Sequence, residues 1–103
     1  MKIELKEKEI CFDQNHDFDL FDFVFKEISK NYETKVLKEL DGLDQRYWDL
    51  LINGSKFTLH YENYLGVSLS ISGVKNLMPN NKRKALSMLE EIYNVFKIHE
   101  LYS

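Results

Sequence analysis

RYWDLLINGSKFTLHYE, from Arg46 to Glu62, decides the fold. Asn53-Gly54 stands between two runs of alternating apolar and polar residues, the strongest short-range hairpin signal. A two-residue loop pairs Ile52 with Ser55, and the register then sets Leu50 against Phe57, Trp48 against Leu59 and Arg46 against Tyr61. Opposed residues share a sheet face. Trp48, Leu50, Ile52, Phe57, Leu59 and Tyr61 therefore form one apolar face, and a slip of one residue would expose all of it. Tyr47, Asp49, Thr58, His60 and Glu62 form the other.

Outward from the hairpin, TKVLKELDG (34–42) reads as a preceding strand that ends in an Asp-Gly turn. On the other side, NYLGV places Gly66 where a short loop needs a positive φ. Val67, Leu69 and Ile71 then alternate with Ser68, Ser70 and Ser72, extending the apolar face and the wet face in turn. Near the N-terminus, Ile3 and Leu5 share one parity and Ile10 and Phe12 the other, so residues 2–12 read as extended with a bulge or turn at KEKE. Those charges disfavour pairing of this edge with another chain.

Two helices complete the pattern. Phe18, Phe21, Phe25, Ile28 and Tyr32 recur at spacings of three and four, which predicts a helix from about residue 18 to Tyr32, capped by Asp17 or Asp19. Asp19 and Asp22 sit near its start, where the helix dipole favours anions. In the closing segment, Ala85, Met88, Leu89, Ile92, Phe96 and His99 make a second stripe, with Pro79 or an Asn at the helix start. The expected fold is α+β, two-layer, in the order β-α-β-β-β-β-α. An antiparallel sheet of about four to five strands carries both helices on one face.

The 103 residues suit a single domain, 1–103. A chain of this size buries roughly 65% of its unfolded surface, enough for one core. A hydrophobic content of 44% and an aromatic content of 14% exclude disorder as the default. Net charge is −3 with a pI near 5.6, which opposes a generic polyanion binder and suits a basic partner. Cys11 is the single cysteine, so no internal disulfide forms, and a reducing, cytoplasmic compartment is expected. The charged start MKIELKEKEICF is not a signal peptide, and no apolar run is long enough to span a membrane.

Candidate chemistry is sparse. DQNHDFD (13–19) imitates a calcium loop, but its sixth position is Phe18 and its twelfth is Val24, where Gly and Glu are required. It reads instead as a polar loop, an acidic patch and a rival contact surface. Cys11 and three scattered His lack zinc-ligand spacing, so neither a metal nor another cofactor is expected. Tyr47 opposite His60, with Asp49 and Glu62 nearby, could move protons, yet an open sheet face offers no enclosed site. Nucleophilic catalysis has no constellation around Cys11 or the serines.

One oddity remains. Lys82, Arg83 and Lys84 crowd a helix N-terminus, where cations are unfavourable and phosphates are favoured. From residue 18 the chain also runs helix, strands, helix, which looks like a double-stranded-RNA-binding domain. That reading lacks a Gly-x-Gly before the helix and an Ala-rich helix, and the chain is acidic.

The stretch Asp41–Ser70 resembles small bacterial immunity proteins that accompany contact-dependent growth-inhibition toxins. The matching features are Asp41-Gly42, Asp44-x-Arg46, Trp48, Gly54, Leu59-His60-x-Glu62 and Gly66-Val67. They cover about a third of the chain. The resemblance implies a cytoplasmic protein without catalysis or cofactor that binds the C-terminal domain of its cognate toxin, commonly an RNase or DNase, and occludes the active site. The toxin-binding residues it implies, together with their chemistry, are Asp41, Asp44, Arg46, Tyr47, Asp49, His60, Glu62 and Tyr64.

Overall fold

The computed structural model describes residues 3–12, 18–62 and 66–102, apart from the side chains of Phe18 and residues 99–102. The loop at 13–17, the expected contact Tyr64 and the side chain of His99 lie outside the described residues. The hairpin register read from Asn53-Gly54 is the one observed: Ile52 pairs with Ser55, Leu50 with Phe57, Trp48 with Leu59 and Arg46 with Tyr61. Asn53 (φ 47°) and Gly54 (φ 87°) both take positive φ, as a tight loop whose twist matches the strands requires. Asn53 also clamps the turn to the chain before it. Its amide donates to the Glu33 carbonyl at 2.9 Å, and its side-chain oxygen accepts the Glu33 amide at 3.0 Å.

In chain order the elements are β1 (Glu4–Leu5), β2 (Glu9–Cys11), α1 (Phe18–Asn31), β3 (Thr34–Asp41), β4 (Gln45–Ile52), β5 (Ser55–Glu62), β6 (Gly66–Ile71), a 3-10 turn (Val74–Asn76) and α2 (Pro79–Tyr102). All six strands join one antiparallel sheet in the order β1-β2-β6-β5-β4-β3. This is the expected α+β fold with one strand more. Residues 3–12 make two strands because Lys6 donates to the Glu9 carbonyl at 2.8 Å and closes a turn within KEKE. α1 carries the chain from β2, next to one edge, to β3 at the far edge, and β3 to β6 then meander back.

The core lies between the sheet and the two helices. Leu50, Ile52, Phe57, Leu59 and Leu69 are fully buried on the sheet side. Phe21, Val24 and Ile28 of α1 and Ala85, Leu89, Ile92 and Phe96 of α2 meet them in the same cluster. Phe12 and Phe96 pack edge to face at 4.9 Å, which joins the end of β2 to α2. Val24 replaces Phe25 as the deepest residue of its turn. Phe25 is half-buried and lies edge-on to Trp48 at 5.1 Å.

One irregularity sets the chemistry of the far edge. The β3–β4 register slips between Val36 and Lys38, leaving Leu37 as the extra residue of a bulge. A bulge reverses the parity of everything beyond it. Asp41 is thereby turned to the helix side, opposite Arg46, while Leu40 is turned to the open side, opposite Tyr47. Lys35, Lys38 and the bulge also blunt this edge against further strand pairing.

Candidate functional site

Alternation divides the expected contact residues between two faces. Asp41 and Arg46 belong to the helix side, where they form a latch. Arg46 donates through Nε to Asp41 Oδ1 and through Nη1 to Asp22 Oδ1 of α1, both at 3.1 Å. Its guanidinium lies 4.4 Å from the centre of the Phe21 ring and 4.8 Å from that of Trp48. Trp48 Nε1 donates to the same Asp41 oxygen at 2.8 Å. The indole N–H, then the Arg46 guanidinium, holds the Asp41 carboxyl below the usual carboxylate range. The latch ties α1 to the β3–β4 hairpin.

Tyr47, Asp49, His60 and Glu62 share the open face. Tyr47 and His60 stack with ring centres 4.1 Å apart and planes 13° from parallel. The Nε2 of His60 is sealed from solvent and has no hydrogen-bond partner among the described residues; Glu62 Oε2 stands 3.6 Å away. Burial pushes the His60 pKa down from its ordinary 6.5 despite the opposing pull of Glu62 and Glu9. The imidazole is therefore neutral at pH 7.

Beside that stack runs a short relay of hydroxyls. Thr58 Oγ1 donates to Asp49 Oδ1 at 2.9 Å, and the Thr58 and Ser72 hydroxyls lie 2.6 Å apart. Thr58 has one proton and gives it to Asp49, so Ser72 is the donor to Thr58. The relay spans β4, β5 and the end of β6. Further across the face, Cys11 donates its thiol hydrogen to Glu9 Oε1 at 3.5 Å. Burial, then the Glu9 charge, pushes the thiol pKa up, which makes it a poor nucleophile.

Asp44 lies exposed in the β3–β4 turn, at the rim of a hollow of about 350 Å³. Leu40, Leu43 and Tyr47 line it with Asp41 and Gln45. Leu43 is 95% exposed and Leu40 58%. Sequence reading missed both leucines as surface features. The available signal was an apolar residue at the tip of an Asp-Gly-Leu-Asp turn, where folding asks for none.

Charge is graded along the strands. Asp22, Asp41, Asp44 and Glu62 lie with Arg46 at the β3–β4 end of the sheet, while Lys35, Lys56 and Lys84 lie with Glu33 at the Asn53-Gly54 end. Among the described residues no group of three His, Cys, Asp or Glu could hold a metal ion. No helix among them is long and apolar enough to cross a membrane.

The arrangement, an open face with an apolar hollow at its acidic end, stands in a chain that belongs to the family described as protein of unknown function (DUF3630). The family model matches residues 1–89, which include every described strand and the first part of α2. No curated protein and no solved structure matches the chain.

Proposed function

We propose that this chain is a binding protein that neutralises a cognate contact-dependent-inhibition toxin domain, a nuclease, by docking over its active site. The observation that carries the reading is the hollow of Leu40, Leu43 and Tyr47 with Asp44 at its rim and Glu62 on the neighbouring strand, opposite Gln45. Exposed leucines beside an aromatic supply an anchor, and the carboxylates supply complementarity to a basic nuclease cleft. The resemblance of Asp41–Ser70 to immunity proteins supplies the partner class. In this reading Leu43, Leu40 and Tyr47 enter the interface core. Asp44 and Glu62 steer encounter from the rim, and the neutral His60 stacks behind Tyr47 to fix its ring. Arg46 and Asp41 act at one remove by holding the hairpin against α1.

The test is co-expression with the domain encoded immediately upstream. The reading predicts that the upstream domain is toxic alone, that this chain restores growth, and that the two co-purify. An upstream product that is not a toxin, or a toxin that forms no complex with this chain, would overturn it.

A further inference from the structure

The basic end of the molecule holds a second site. Between the Asn53-Gly54 turn and the first turn of α2 lies a cavity of about 280 Å³. Ser55 lines it and is the one buried polar residue among those described, only 8% exposed. Its hydroxyl has no hydrogen-bond partner among the described residues, and it sits on the helix side of the sheet, opposite Ile52. The oxygen is not sealed in protein; it opens onto the cavity.

What surrounds that space is positive. Lys84 bends over the turn, its Nζ 3.6 Å from where a Cβ on Gly54 would stand, and Lys56 lies at the rim. Asn81 presents its side chain from α2. The first intrahelical bond of α2 runs from the Lys82 amide to the Met78 carbonyl at 2.9 Å. The amides of Asn80 and Asn81 therefore precede the ladder, and Pro79 has none. Lys84, in the second turn of α2, sets its charge on the same cavity that the first turn borders. Leu77 and Leu51 add an apolar wall.

We propose that this cavity binds the phosphate monoester of a small molecule, the phosphate held by Lys84, Asn81 and the Ser55 hydroxyl, the organic part against Leu77. A monoester is favoured over a nucleic-acid backbone for a geometric reason. To reach Ser55 the phosphate must enter the cavity, whereas the diester phosphates of a duplex stay on the outside of a stiff cylinder. The net charge of −3 also opposes a duplex.

The experiment is an amide NMR titration of the full chain with inorganic phosphate and with phenyl phosphate, against chloride at matched ionic strength. Saturable shifts are expected at Gly54, Ser55, Asn80 and Asn81, with phenyl phosphate the tighter of the two. Lys84→Gln removes a charge-assisted bond and weakens binding about tenfold. Ser55→Ala removes a neutral one and weakens it about threefold. Both variants keep the spectrum of the folded chain. Linear, unsaturating shifts, or shifts indifferent to both substitutions, mean an adventitious ion only and overturn the proposal. Tighter binding of a short RNA duplex than of phenyl phosphate overturns the choice of ligand.

Discussion

The two faces of the β4–β5 hairpin come from one stretch of chain and obey opposite rules. On the helix side Leu50, Ile52, Phe57 and Leu59 are fully buried, and each has many neighbours to satisfy. On the open side Tyr47, Asp49, Thr58 and His60 touch mainly one another, in a ring stack and a hydroxyl relay. The first face is dictated by burial. The second is free of that demand. What it carries is available for recognition, and the exposed Leu40 and Leu43 continue it into the acidic hollow.

Substitutions should separate the faces by size of effect. Phe57→Ala empties the centre of the core and should cost about 3–5 kcal/mol, read as a fall in the urea midpoint. A loss below about 1 kcal/mol would mean that the sheet does not bury this face as described. Arg46→Ala removes two charged hydrogen bonds and a guanidinium stacked on two rings, and should cost about 1.5–3 kcal/mol. Arg46→Lys should recover only part of that loss, because a point charge cannot reproduce the fork.

His60 gives a smaller, pH-dependent effect. Its folded pKa lies below the unfolded 6.5, so the unfolded chain binds the proton first. The stability that this neutral imidazole protects is complete above pH 6.5 and falls as pH drops from there toward the folded value. Asp41, also lowered, acts in the same direction but at carboxylate pH, its contribution lost as pH falls through its folded value. Urea midpoints at pH 7 and pH 5 should converge for His60→Gln relative to the parent. An unchanged gap would show that His60 is solvated in the folded state.

Sequence made the helix-side face legible for a physical reason. Asn-Gly accepts positive φ at both loop positions, which admits one register, and period-two alternation assigns the rest. The open face followed by subtraction, including the pairing of Tyr47 with His60. Three features were hidden because they depend on distant chain. The bulge at Leu37 has no residue signature in TKVLKELD, yet it decides that Asp41 faces Trp48 and Arg46 while Leu40 faces out. Asp22, the α1 partner of Arg46, is far away in sequence, and no local spacing points to it. The approach of Lys84 to Gly54 likewise needs the docking of α2 on the sheet. The expected contact set mixed a latch with a surface because carboxylates and an arginine look the same in both.

The open face is tested most directly by the affinity of the upstream-encoded toxin domain for three versions of this chain, measured by calorimetry: the parent, Leu43→Lys and Lys84→Glu. Leu43 is almost fully exposed and Lys84 exposed, so neither change should disturb the fold. Leu43→Lys should weaken binding by about 2 kcal/mol or more, as loss of an interface anchor does. Lys84→Glu, at the opposite end, should leave the affinity within about twofold. The reverse pattern, with Lys84→Glu crippling the complex and Leu43→Lys tolerated, would contradict the assignment of the open face and its acidic hollow as the docking surface.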